Sequence, residues 1–544
     1  MRTSRRWRTA AGAAAALALV TGCSGGPKET GTGGGQPRDG GVLTLALEKE
    51  PECLDPHQTP TQSGRLLARP ILDSLVHQDV QGGLHPWLAT AWTVADDGLK
   101  YTFTLRDGVT FTDGTTFDAA AVVANLDHVV DPETKSLLAA SLISAYAKAE
   151  AVDARTVAVT LREPDSGFLA ALASPNLGIH SPATLKGAPS DLCAKIVGSG
   201  PFRSEGGFVP QQGITYTRNP AYAWAPEDAA YRGPARLDGV EVRIVPDDPA
   251  RAGALTSGQV DAVTALPPTE VRALKGDAAF QVHSVLYPGA NYSYWPNTAE
   301  GPLSDVRVRK ALRAGVDWDR IVQNVFFGVY SGAEGVLSKT TPGFDPSVGP
   351  SYAHDPAAAA RLLDEAGWTG RDAQGYRTKD GVRLKLRHLW SEPSVETLAV
   401  QVQAAAKDLG IELVEENLDG GTFVERLLAG DYELIDTSFS APGPDVLRVL
   451  FGAANIPTPE RGISNNMARY DDADVEADFT LALRATDPAE RLEVYQRIQQ
   501  RITEDAAVLP IYSPQSSLAV RTGVQGVSFS IDGTPDLTAI WLES

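Results

Sequence analysis

Three short stretches combine aromatic rings with small polar groups, a mixture that can grip an amphipathic molecule without reacting with it. They are Asn291-Tyr292-Ser293-Tyr294-Trp295, Trp390-Ser391 and Phe439-Ser440-Ala441. Thr61, Gln62 and Ser63 add hydroxyl and amide groups from an earlier part of the chain. The same aromatics would serve equally well as buried core residues on strands, so type and spacing leave both roles open. Groups that break bonds are harder to find. There is no G-x-S-x-G, no S-x-x-K and no H-E-x-x-H. The eight histidines show no i, i+4 pair and no clustering with cysteines, which argues against a dedicated zinc site. Gly198-Ser199-Gly200 is glycine-rich, but G-K-[ST] occurs nowhere, so a Walker-type phosphate loop is excluded. Carboxylates are plentiful, and a hydrolase that uses two of them stays as an alternative.

At 544 residues the chain can bury more than one core, which predicts two or three domains. Hydrophobic residues at 43% and charged residues at 21% describe an ordinary globular composition. The formal net charge is −20, and loss of the first 22 residues with their four arginines takes it to −24. A surface that acidic argues against nucleic acid, which needs a basic stripe. No apolar run is long enough for a transmembrane helix.

Arg2, Arg5, Arg6 and Arg8 precede the apolar run Ala11 to Val20, the pattern of a signal peptide over residues 1–22. It ends in Val20-Thr21-Gly22-Cys23, which resembles a bacterial lipobox. That resemblance implies a diacylated Cys23 at the mature N-terminus and a stable membrane anchor; a plain signal peptide with a chance cysteine is the other reading. Arg5-Arg6 leaves the general and twin-arginine export routes open. Residues 24–40 are Gly-rich and polar, a flexible tether. Cys53 and Cys193 then remain as a pair in an oxidising compartment, free to form a disulfide or to stay as separate buried thiols.

Strands and helices alternate along the rest. Val42 to Leu47 is an apolar strand, and residues 61–76 read as a helix. Tyr101, Phe103 and Leu105 alternate with polar neighbours on a strand, and Asp118 is placed to cap a helix carrying Val122, Val123 and Leu126. Ser304 precedes a helix with Val308, Ala311 and Leu312 on one face; Asp355-Pro356 and Asp487-Pro488 open two more. Another helix runs from Ser394 to Leu409. This alternation predicts an α/β class with mixed sheets.

The order A-W, D-D-G, Y-T-F-T-L-R, G-V-x-F, D-G-x-x-F-x-A over residues 91–119 resembles the signature of family-5 extracytoplasmic solute-binding proteins, the peptide- and nickel-type receptors of ABC importers. Leu54-Asp55-Pro56, Gly198-Ser199-Gly200-Pro201-Phe202, Asp305 to Leu312 and Asp355 to Gly367 match further motifs of that family, so the resemblance covers roughly residues 42–540. It implies a two-lobed fold of the periplasmic-binding-protein type (class II, cluster C) with a hinge between lobes. Lobe I would comprise 41–272 plus 506–544, with a subdomain at about 64–190, and lobe II 273–505. The chain should cross between lobes near Gln281 to Tyr287 and return near Leu509 to Tyr512.

The resemblance further implies a lipid-anchored, extracytoplasmic and monomeric receptor without catalytic residues or cofactor. It would bind a small solute, an oligopeptide or dipeptide first of all, and hand it to an ABC permease and its ATPase. The ligand would meet Thr61, Gln62, Asn291, Tyr292, Tyr294, Trp295, Trp390, Phe439, Ser440, Ala441 and Asp445. Peptide-binding members carry W-x-[AG]-D where this chain has Phe439-Ser440-Ala441-Pro442. Pro442 has neither charge nor donor for a peptide amine. Asp436 or Asp445 is then a substitute carboxylate, and an opine-like compound, a metal chelate or a saccharide is an alternative ligand. An adhesive or structural lipoprotein is the remaining reading.

Overall fold

The computed structural model describes residues 36–543 apart from 137, 392–395 and 486. The export segment, Cys23, most of the tether and Ser394 lie outside the described residues. Strand Val42–Leu47 sits inside an eight-stranded sheet, parallel to Gly239–Ile244 on one side and to Ala262–Thr264 on the other. A strand with parallel neighbours on both sides is covered on both faces, hence its apolar sequence. Leu43, Leu45 and Leu47 are all buried. Phe280–Leu286 and Gln515–Arg521 extend the sheet at one edge as an antiparallel pair.

A second, six-stranded sheet is built around Gly289–Pro296, whose eight residues are all buried. Leu434–Ser440 and Leu509–Ser513 flank it antiparallel, while Lys385–Trp390 and Glu412–Asn417 add a parallel pair. The third layer is an antiparallel four-stranded sheet, Ala89–Val94, Lys100–Leu105, Thr156–Leu161 and Tyr146–Asp153. It is covered by helix Ala119–Val130 and has its own core, with Phe103, Val122, Val157 and Val159 fully buried. Asp118 caps that helix, accepting the Ala121 N–H at 3.0 Å.

The mixed-sheet α/β class is what the alternation of elements predicted. Local differences have simple causes. The helix expected over 61–76 runs only over Gln62–Ala68, because Pro70 cannot continue it. Asp305, not Ser304, caps helix Val306–Gly315; its carboxylate accepts the Arg307 N–H at 2.9 Å. Asp355 and Asp487 cap their helices with Pro at the first helical position.

Two connections join the large sheets. The chain leaves Phe280–Leu286 through Tyr287-Pro288 for Gly289–Pro296, and returns from Leu509–Ser513 through Pro514 to Gln515–Arg521. They lie side by side, the Tyr287 N–H donating to the Pro514 carbonyl at 3.0 Å. Cys53 and Cys193 are disulfide-bonded, with Cα atoms 4.1 Å apart.

Candidate functional site

Parallel strands bring their carboxyl ends to one edge, and the loops that follow frame a crevice there. Leu47-Glu48 leave the central strand at this edge, and Thr264 to Pro268 leave its neighbour. Together with helix Gln62–Ala68 and with Tyr287 they wall a cavity of about 470 Å³. Phe326, Tyr330, Leu398 and Tyr512, from the other sheet and its helices, close the opposite side. The cavity therefore lies between the two sheets, beside their connections.

Its second-sheet wall is aromatic. Tyr330 and Tyr512 stack with centroids 5.4 Å apart and planes at 10°, Phe326 meets Tyr512 at 4.6 Å, and Tyr292 also stacks on Tyr512 at 4.6 Å. Burial raises the pKa of Tyr287, Tyr330 and Tyr512, so all three phenols stay protonated and able to donate. The opposite wall is polar. Gln62 Nε2 donates to the Tyr287 hydroxyl at 2.5 Å, and Glu48 Oε2 accepts from Thr264 Oγ1 at 2.8 Å. Asp248 is balanced by Arg251 at 2.6 Å; that buried guanidinium also donates to the carbonyls of Thr264 and Ala265 and so fixes the cavity loop. Glu48 is half-buried, and among the described residues no cation pairs with it.

Of the residues expected to meet a ligand, the cavity collects Gln62 and Ser63, neighbours on one helix. Thr61 is the cap of the helix, accepting the Gly64 N–H at 3.3 Å. Asn291 is buried and donates to the carbonyls of Gly335 and Leu337. Tyr292 backs the aromatic wall from behind Tyr512. Tyr294 packs on Trp318 and on His388, and Trp295 on Phe439 and Phe451, both tyrosine and tryptophan being fully buried. Trp390 is buried, Ser440 is exposed and Ala441 lies beside the connection, its N–H donating to the Pro288 carbonyl at 3.0 Å. Asp445 is held by Arg491 and the Tyr495 hydroxyl, outside the cavity.

The other carboxylate near the missing family aspartate, Asp436, is also turned inward. It accepts the Tyr292 hydroxyl and lies 3.4 Å from His388 Nε2, whose Nδ1 meets Glu415 at 2.6 Å. Burial pushes the Asp436 carboxyl up to about 7. The cavity's own acids are instead Glu48 and Asp248. Neither they nor Tyr287, Phe326, Tyr330 and Tyr512 were singled out by motif. For Glu48, Asp248 and Tyr287 the usable signal was position, each following a strand end or lying at a crossing point between sheets, whereas Phe326 ends helix Trp318–Phe326 and Tyr512 lies within strand Leu509–Ser513.

Residues 83–454 match the model described as bacterial extracellular solute-binding proteins, family 5 middle. The glutathione-binding protein GsiB of Salmonella paratyphi A is 29% identical over 86% of this chain and 88% of its own. The probable D,D-dipeptide-binding periplasmic protein DdpA of Escherichia coli K12 is 26% identical over 91% of this chain and 92% of its own. Among solved structures, NikA from Brucella suis, in complex with Fe(III)-EDTA, superposes with a TM-score of 0.79 at 25% identity, covering 92% of this chain and all of NikA.

Proposed function

This chain belongs to the bacterial extracellular solute-binding proteins of family 5, and we propose that the solute it captures is a short peptide or peptide-like compound bearing a protonated amine. The protein is the substrate-binding component of an ABC importer: it takes a small solute between two lobes for delivery to a permease, and no bond is made or broken. The observation that carries the ligand class is Glu48. It is a half-buried carboxylate on the cavity wall, without a partner cation among the described residues, facing a wall of neutral aromatics. A partly buried carboxylate of this kind, without a counter-ion, is satisfied by a cation from the ligand. The volume, toward the lower end of the range of about 300–1,000 Å³ for small-molecule sites, favours a short ligand over a long one. The relatives whose names give glutathione and D,D-dipeptide support the same class.

In this reading lobe I ends at Leu286 and resumes at Gln515, in place of the expected bounds at 272 and 506, because Phe280–Leu286 belongs to the first sheet and Leu509–Ser513 to the second; Tyr287-Pro288 and Pro514 form the hinge. Cys23 carries the lipid anchor, and the Gly-rich tether lets the receptor reach its permease and ATPase partners. The test is native mass spectrometry of what co-purifies with residues 24–544, followed by a thermal-shift screen of short peptides on the wild type and Glu48→Gln. A peptide ladder or an amine-bearing ligand, with at least about tenfold weaker binding in E48Q, supports the reading. A co-purified solute that carries no amine, or unchanged affinity in E48Q, refutes it.

A further inference from the structure

Away from the cavity, three of the eight histidines converge with one aspartate although the sequence scatters them. Asp55 and His57 lie in the loop between strand Val42–Leu47 and helix Gln62–Ala68, His128 in the last turn of helix Ala119–Val130, and His180 beyond Pro175–Leu177. His57 Nδ1 and His128 Nδ1 face each other at 3.0 Å. His57 Nε2 lies 2.9 Å from the Gly178 carbonyl, an atom that only accepts. The His57 ring proton is therefore on Nε2, and Nδ1 presents a lone pair to the second histidine. Two imidazole nitrogens this close need something positive between them, either a proton or a metal ion.

The surroundings favour the ion. An imidazole that donates its far nitrogen to a backbone carbonyl has the orientation and tautomer of a metal-bound histidine. Two bonds of about 2.0–2.1 Å at a tetrahedral centre put the nitrogens about 3.3 Å apart, close to the separation found. One ligand atom each from Asp55, His57 and His128 lie within 4.8 Å of one another. That carboxylate is itself oriented: Oδ1 accepts the His57 N–H at 2.9 Å, Oδ2 accepts Gln58 Nε2 at 2.8 Å, and His180 Nε2 stands 3.0 Å from Oδ1 with both residues wholly buried. His180 also meets the His57 ring edge-on at 4.6 Å. His128 is only half-buried and gives the ion its way in.

We propose that Asp55, His57 and His128 form a structural site for a borderline divalent ion of the Zn²⁺ class, with His180 positioning the carboxylate. Two imidazoles and one carboxylate are the ligand chemistry of such ions. The ion would tie the 53–60 loop, and through it the cavity helix that carries Gln62, to the neighbouring four-stranded layer. It is a separate site from the solute cavity and does not depend on the ligand assigned there.

The test strips the mature protein with chelator and measures Zn²⁺ binding by competition titration and metal analysis. Co²⁺ absorption reports the ligand set, and thermal unfolding is followed with Zn²⁺ and with EDTA. His128→Gln is the main variant, because a half-buried position on a helix end tolerates the change. His85→Gln is the comparison, because half-buried His85 and His77 pair with Asp79 and Asp228 in another close group of histidines and carboxylates. One Zn²⁺ per chain, at least about tenfold weaker in H128Q and unchanged in H85Q, is expected. Absence of stoichiometric Zn²⁺ binding, or binding lost in H85Q and kept in H128Q, overturns the proposal and leaves a proton between the two imidazoles.

Discussion

Replacing Asp436 by Asn should remove one component of the way this protein's stability falls as the pH rises. The carboxyl is pushed up to about 7 by burial, against 3.8 when exposed. Between those values the folded chain keeps a proton that the unfolded chain has released. The contribution of the group is therefore complete below pH 4 and is lost as the pH rises through 7. A difference of roughly three units, at about 1.4 kcal/mol per unit, makes the full effect about 4 kcal/mol. Asn carries no charge at any pH in the window and still accepts the Tyr292 hydroxyl. Urea unfolding of both proteins from pH 4 to 8 should show D436N gaining on the wild type, at most about 1.4 kcal/mol per pH unit. Asp73, another buried carboxyl pushed up to about 6, is present in both proteins and cancels in the difference. Parallel stability curves across the whole window would refute the assignment of a proton to Asp436.

The remaining predictions concern packing and covalent structure. Cys53→Ser with Cys193→Ser should lower stability by about 2–5 kcal/mol, read as the shift between oxidised wild type and variant in denaturant unfolding; an unchanged midpoint would mean the bond constrains nothing. Trp295→Ala should cost about 3–5 kcal/mol, because the ring is fully buried between Phe439 and Phe451, and the loss should appear in urea unfolding. Gly198→Ala places a Cβ 2.2 Å from the Ile71 carbonyl oxygen, so backbone must move; a loss of about 1–3 kcal/mol or more is expected, and a neutral result in thermal unfolding would contradict the close approach.

Much of the fold was legible because its signals are local. Asp118, Asp355 and Asp487 cap helices wherever an Asp precedes an apolar helical pattern, and the alternation at Tyr101, Phe103 and Leu105 identifies its strand. The glycines of the G-x-G-P turn are explained by the backbone of Ile71, which leaves no room for side chains. The cavity was far less legible. Glu48, Tyr287 and Tyr512 come together only when two sheets are joined by adjacent connections, and no spacing along the chain records that adjacency. The aromatic stretch at 291–295 illustrates the ambiguity: its alternation marks a strand, but both faces are covered, so Tyr294 and Trp295 fill cores and not the crevice. The histidine cluster was invisible for the same reason, since His57, His128 and His180 are separated by whole elements.

The Cys53–Cys193 bond spans 140 residues and brackets the entire four-stranded layer. Pulling on the N-terminus loads strand Val42–Leu47 and then Cys53. From there the tension passes through sulfur to Cys193 and onward into the first sheet. The residues between hang as a slack side loop and carry none of it. Under the anchoring proposed for Cys23 the receptor is thus mechanically divided: the sheet that frames the crevice bears the strain, and the bracketed layer is sheltered from it.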